Sequence, residues 1–212
     1  MPDGKMPVQA IARLLGTIAA PKQGERMLFL TDYSEGKPSA QGAGRQELVS
    51  RWYKAASLLS QQKGFNLLPL ALYRQTGKNN ADLPKSAATQ GGGHIDDLPS
   101  LVKSSNIAIA MSEYSASAPL KNLAASAPSL RVVSMPGVNA EMEGAMSADY
   151  ARIDERARRL LPILQSASGF EAIFDGAGVP RGTSLHIDTR ASNWIIDSGS
   201  CHNKWDFINF PS

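Results

Sequence analysis

The amino-acid sequence predicts an α/β fold: a mostly parallel sheet with helices on both faces, Rossmann-like, with a short antiparallel C-terminal extension. Three observations carry that expectation. Short apolar runs of strand length recur along the chain, amphipathic stretches with 3/4 spacing stand between them, and Gly-, Pro- and Asn-rich segments mark the changes. Strand and helix patterns alternating at this spacing give βαβ units, whose crossovers cover both faces of a parallel sheet. No internal repeat of fixed period competes with this reading. The whole of 1–212 is expected to form a single α/β domain.

The elements follow in order. In "MPDGKMPVQAIARLLGTIAAPKQ", Ile11, Leu14, Leu15 and Ile18 share one helical stripe, whereas Arg13 interrupts the apolar run and no small-residue cleavage site follows. An amphipathic helix, not a targeting segment, is therefore expected. "RMLFLTD" reads as a buried strand ending at Asp32, and "YSEGKPSAQGAG" as a loop. In the next stretch Leu48, Trp52, Ala55 and Leu59 keep helical spacing, and Gly64 falls where a left-handed C-terminal cap belongs. "FNLLPLALY" is a second buried strand. The polar run "RQTGKNNADLPKSAATQGGGHIDDLPS" is a long loop or lid. A short helix from about Leu98 leads to the strand "NIAIAM", then to "LRVVSM" and the turn "PGVN".

From Asp149 onward Tyr150, Ile153, Ala157, Leu160, Leu161 and Leu164 hold the 3/4 spacing, and Pro162 predicts a kink or a new start. "GFEAIFDG" is a further strand, while "GTSLHIDTR" and "NWIID" alternate as two antiparallel strands. At least four of the runs Arg26–Thr31, Asn66–Ala71, Ile107–Met111, Arg131–Ser134 and Glu171–Phe174 are expected to be neighbours in one mostly parallel sheet.

Composition narrows the function classes. Lys and Arg number 22 against 19 Asp and Glu, a net charge of +3, and no basic run with interleaved aromatics occurs, which argues against nucleic acid. No stretch approaches the ~20 apolar residues of a membrane span. One cysteine, Cys201, allows no internal disulfide and no cysteine-built zinc site, and fits a reducing, cytoplasmic setting.

Motifs for chemistry are sparse. Gly42 and Gly44 in "GAGR", and Gly176, Gly178 and Gly182 in "DGAGVPRG", lack the spacing and placement of a dinucleotide fingerprint, and neither a Walker sequence nor a G-x-S-x-G elbow is present. His186 and Asp188, two apart on one strand face, could begin a metal site, but a third ligand is not evident and a structural histidine is the better account. His94 in the Gly-rich loop is the other catalytic candidate. Cys201 and His202, being adjacent, tend to point apart. Glu141 and Glu143 read as a solvated helix start.

The C-terminal half, "MPGVNAEMEGAMSADYARIDERARRLLPILQSASGFEAIFDGAGVPRGTSLHIDTR" followed by "NWIIDSG" and "NFPS", resembles the N-terminal domain of the aminopeptidase T family of metallo-aminopeptidases. The shared order is a strand ending in a Pro-Gly turn, a helix with Asp-Tyr and an Arg, a strand, Gly182-Thr183-x-Leu185 and a closing Asn-x-Pro. The likeness covers roughly residues 98 to 212 by ordered motifs and the earlier part by element order. In the family the Asn-x-Pro element, here Asn209-Phe210-Pro211, runs on into Gly-Glu, and that Glu is a metal ligand. The resemblance thus implies the N-terminal domain of a longer enzyme, cut just before its first metal-binding residue, with the other ligands in a following domain.

It also implies a divalent metal (zinc, cobalt or manganese) in the full-length enzyme, a peptide substrate cleaved at its free N-terminus, and a homodimer when full length. No catalytic metal is expected on this chain alone. A second branch of the same superfamily, the 2,5-dihydroxypyridine dioxygenases, uses iron(II) on a small-molecule substrate and has a similar Gly-Thr-x-Leu-His and Trp-Asp, as in Leu185-His186 and Trp205-Asp206 here. There His94 or His186 would serve beside the metal as proton acceptor or hydrogen-bond donor. A non-catalytic binding module is the third reading. The apolar tail Trp205, Phe207, Ile208 and Phe210 is expected either to pack on the sheet or to lie exposed.

Overall fold

A computed structural model describes residues 5–36, 40–204 and 206–210. The elements are α1 (Val8–Ile18), β1 (Arg26–Tyr33), α2 (Ala40–Lys63), β2 (Asn66–Leu67), β3 (Ala71–Arg74), β4 (Ala87–Thr89), β5 (His94–Ile95) and α3 (Leu98–Lys103), then β6 (Ile107–Ser112), α4 (Ser117–Ala125) and β7 (Arg131–Pro136). A 3-10 stretch (Ala140–Ser147), α5 (Tyr150–Ser166), β8 (Gly169–Ile173), β9 (Ser184–Asp188) and β10 (Phe207–Asn209) complete the chain. Two compact units result: Met1–Tyr150 with Gly199–Ser212, and Ala151–Ser198.

The first unit holds an eight-stranded sheet in the order β10-β7-β6-β1-β3-β4-β5, with β2 also on β1. All pairings from β10 to β3 are parallel, and the β4–β5 hairpin adds antiparallel strands at the edge. Four of the five predicted runs are therefore neighbours. The central strands are apolar on both faces because both are covered. Met27, Phe29, Ile107, Ile109, Val133 and Met135 face a core shared with α1 and α2, centred on Trp52. Leu28, Leu30, Ala108, Ala110 and Val132 alternate with them into a second core with Leu98, Val102 and Leu120 of α3 and α4. Gly64 caps α2 with φ 72°, as its position after the helical stripe predicts.

Several expectations are corrected. Asn66–Ala71 is not one strand: Pro69, which has no N–H to give a ladder, separates β2 from β3. The run Glu171–Phe174 lies outside the main sheet; β8 pairs antiparallel with β9 in a two-stranded ribbon, and "NWIID" forms no strand. The expected long loop contains the β4–β5 hairpin. Pro162 starts no new helix, and α5 runs through it from Tyr150 to Ser166. Its surface position lets water take the carbonyl that the missing N–H leaves free.

Glu143 is the largest correction, being fully buried where a solvated carboxylate was expected. Its Oε2 accepts the Met6 N–H at 2.9 Å and Arg51 Nη1 at 3.0 Å, and its Oε1 accepts Trp52 Nε1 at 3.4 Å. One carboxylate thus joins the N-terminal segment, α2 and the 3-10 stretch. The tail packs on its own sheet through Ile208 and Phe210, and Phe210 lies with its ring centroid 5.3 Å from Tyr150 and 6.4 Å from Trp52. Gly199 is required beside them, because its φ of 74° is left-handed and a Cβ would come within 2.7 Å of the Tyr150 ring. Trp205 lies outside the described residues.

Glu143→Ala should lower stability by about 2 to 3 kcal/mol, since it strands a largely buried guanidinium and a buried N–H together. The exposed Glu141→Ala should stay within about 0.5 kcal/mol of wild type. Urea midpoints at unchanged slope measure both.

Candidate functional cleft

The parallel strands reverse direction of progression at β1: the chain first adds β3 on one side of it, then returns to place β6 on the other. In open α/β sheets the crevice beyond the carboxyl ends of such a pair is the ordinary ligand site. Asp32, near the carboxyl end of β1 after the apolar run Met27–Leu30 and Thr31, sits there. Its side chain is 1% exposed. The carboxylate accepts the Glu113 N–H at 2.8 Å and the Tyr114 N–H at 3.4 Å, which fixes the turn leaving β6, and lies 3.5 Å from Arg45 Nη2 on α2. Arg45 Nη1 donates to Glu113 Oε2. Glu113, with its side chain 30% exposed, is the solvent-facing end of this buried Asp32–Arg45–Glu113 chain.

The electrostatics follow from burial. Desolvation pushes the Asp32 carboxyl above its ordinary range, against the opposing pull of the Glu113 N–H and the Arg45 charge. Burial, together with the Asp32 charge, also drives the Tyr73 hydroxyl upward, so it remains a neutral donor. Above the chain opens a cleft of about 390 Å3 lined by Asp32, Tyr33, Glu35, Arg45, Glu113 and Tyr114 among others. A smaller lobe of about 220 Å3 between β1, β3 and α2 shares Asp32, Tyr33 and Gln46 with it and is walled by Val49, Leu70 and Leu72. Thr31 Oγ1, in the lobe wall, and Arg45 Nε are buried without a hydrogen-bond partner among the described residues.

A polar girdle occupies the carboxyl ends of the neighbouring strands. Ser117 Oγ donates to Asn209 Oδ1 at 2.8 Å and lies 2.9 Å from Ser134 Oγ. Ser115 Oγ lies 3.0 Å from Ser117 Oγ, and Asn79 and Asn80 accept from the Ser115 and Ala118 N–H groups. Asn209 is thereby held at the same end of the sheet as Asp32.

The two histidines singled out in the sequence fall elsewhere. His94, on β5, is exposed, with Nε2 3.3 Å from Asp96 Oδ1. His186, on β9 and in the other compact unit, is exposed, with Nε2 3.3 Å from Glu171 Oε1, while Asp188 pairs with Arg190. Gly42 and Gly44 lie inside α2, so "GAGR" forms no phosphate loop. Cys201 Sγ contacts the Val132 carbonyl while the His202 ring meets the Thr17 carbonyl. Among the described residues no three His, Cys, Asp or Glu side chains gather to hold a metal, and no helix is long and apolar enough to cross a membrane. Asp32, Arg45 and Glu113 escaped sequence reading; the available signal was a carboxylate closing an apolar strand.

The fold and this crevice define an α/β, Rossmann-like protein with a polar cleft at the switch of strand order. Models of known protein families, curated proteins and solved structures were all compared with the chain, and none matches it.

Asp32 gives a pH prediction. Its folded carboxyl binds a proton more readily than the unfolded one, so the native state holds more protons across the interval between the two values and its stability falls as pH rises through that interval. The stability of wild type relative to Asp32→Asn should therefore be greatest in acid and decline toward neutrality, levelling above the raised value. Urea unfolding of both proteins from pH 4 to 7.5 measures this, and a pH-independent difference would contradict it.

Proposed function

We propose that this chain is the substrate-side α/β domain of a metal-dependent, aminopeptidase-T-like hydrolase that releases N-terminal residues from peptides. The observation that carries the reading is the ordered run of motifs from Met135 to Ser212 combined with the position of Asn209, which opens its closing Asn-x-Pro element. β10 is a parallel strand, and Asn209 at its carboxyl end is bound by Ser117 at the end of the sheet where ligand sites form. Among the described residues no three His, Cys, Asp or Glu side chains gather to hold a metal. The reading therefore gives this chain one wall of a substrate cleft and assigns it no metal-mediated step.

The iron(II) ring-cleaving alternative leans on Leu185-His186 and Trp205-Asp206. Asp206 is already committed: its Oδ2 accepts the His202 and Asn203 N–H groups at 2.8 and 2.7 Å, a turn-forming role. That favours the peptidase reading.

The test uses the native gene product purified from its own cells. With zinc, cobalt or manganese supplied in turn, it should release free amino acids from peptides whose N-terminus is free and none from the acetylated peptides. Oxygen uptake with iron(II) and 2,5-dihydroxypyridine would replace the reading by ring cleavage, and loss of both activities would leave a binding module. The 212-residue chain by itself should carry no stoichiometric metal at micromolar concentration and turn over no peptide; elemental analysis and a peptide assay check both.

A further inference from the structure

We propose that the cleft at the carboxyl end of β1 and the lobe beside it form one binding site for a primary amine carried on an apolar body with a hydrogen-bonding tip. The inference stands on residues of the first compact unit and does not depend on the peptidase reading. Its mouth carries an excess of carboxylates: Asp32, Glu35 and Glu113 line it, with Arg45 between Asp32 and Glu113 and Arg74 paired to Glu35 at 3.2 Å. Arg45 lies 3.5 Å from Asp32 through Nη2 and donates Nη1 to Glu113, and its remaining unpartnered Nε is buried, so its charge is already matched by two carboxylates of the chain. Glu113 spends Oε2 on Arg45, and its Oε1 makes no hydrogen bond to another described residue. An ammonium group with three donors suits such a half-exposed carboxylate, and the Tyr33 and Tyr114 rings at the mouth suit a cation as well.

The lobe supplies the second requirement. Val49, Leu70 and Leu72 make an apolar wall, and Thr31, only 3% exposed, lines the same lobe with a buried hydroxyl that has no hydrogen-bond partner among the described residues. Buried hydroxyls without partners are rare because each forfeits its hydrogen bond to water. A ligand that reaches the lobe with a polar tip gives Thr31 its missing partner while its apolar body covers the leucines. The two spaces share Asp32, Tyr33 and Gln46 as common wall, and the larger falls within the size range of small-ligand sites. A nucleotide is disfavoured by the carboxylates at the mouth, with Gly42 and Gly44 held inside α2, and a plain hydrocarbon leaves both Glu113 and Thr31 unserved.

Isothermal titration of the 212-residue chain tests this with tyramine, phenethylamine, N-acetyltyramine and tyrosine amide. Tyramine should bind, N-acetyltyramine at least tenfold more weakly, and phenethylamine severalfold more weakly than tyramine. Glu113→Gln should weaken both amines at least tenfold. Thr31→Val should erase the preference for tyramine over phenethylamine while leaving phenethylamine unchanged. Tyrosine amide binding as tightly as tyramine identifies the N-terminus of a peptide as the source of the amine, and tighter binding of tyramine identifies a free amine. Equal binding of tyramine and its acetyl derivative to the wild-type chain, or no binding of any amine at millimolar concentration, overturns the proposal even if the Glu113 variant does not fold. A folded Glu113→Gln protein with unaltered tyramine affinity overturns it too.

Discussion

The charge of Arg45, buried beneath the mouth of the cleft, is the constraint on which this end of the molecule depends. A guanidinium 3% exposed to solvent is tolerated only when carboxylates compensate it, and leaving one uncompensated costs about 3 to 5 kcal/mol. Asp32 supplies that compensation from β1 and Glu113 from the turn after β6. Asp32 does more than balance charge, since the same carboxylate receives the two N–H groups of the turn after β6. The position of Glu113 in the cleft is thus a consequence of the charge beneath it. Pairs of this kind add little net stability compared with apolar residues of the same volume. What they contribute here is a fixed geometry at the one place where the apolar sheet opens to solvent.

The same device recurs where distant segments must meet. Arg131, at the start of β7, donates to the Ala19 carbonyl at 3.0 Å and to Glu25 at 2.8 and 2.9 Å, which satisfies the C-terminal end of α1 and places a cation at its negative pole. Burial pushes the Glu25 carboxyl up, but the hydrogen bonds and charge of Arg131, with the Lys22 N–H, outweigh it and hold the group below its ordinary range. Glu143 does the equivalent for the N-terminal segment and α2. Apolar packing brings these elements into contact without choosing their register. The buried ions choose it.

This division explains what the sequence disclosed. β1, β6 and β7 were legible because strands covered on both faces are continuously apolar, and a run such as "NIAIAM" admits few other readings. α1 and α2 were legible from spacing. "GFEAIF" shows the limit: strand character can be read from residues, but whether the strand joins the main sheet or pairs with a neighbour is decided by partners that the run does not name. Glu143 was misread for a related reason, as nothing local distinguishes a carboxylate that solvates a helix start from one that Arg51 and Met6 reach across 92 and 137 residues. Asp32, Arg45 and Glu113 were invisible as a group because Glu113 stands 81 residues from Asp32 and 68 from Arg45.

Burial also bears on where chemistry can be placed. In Ala151–Ser198 the ribbon of β8 and β9 leaves Phe170, Phe174 and Leu185 about half exposed, and Leu160 and Ile163 of α5 are exposed further still. A two-stranded ribbon with so little apolar burial lies at the low end of local stability. A catalytic group must be held within a fraction of an ångström by packing and second contacts, and His186 has one exposed carboxylate partner on that ribbon. Asp32, in contrast, closes the buried run Met27 to Asp32 of β1, and it is fixed by two backbone N–H groups and a buried guanidinium. Precision of position therefore favours the β1–β6 crevice over either histidine, although the histidines carry the more suggestive chemistry when the sequence is read alone.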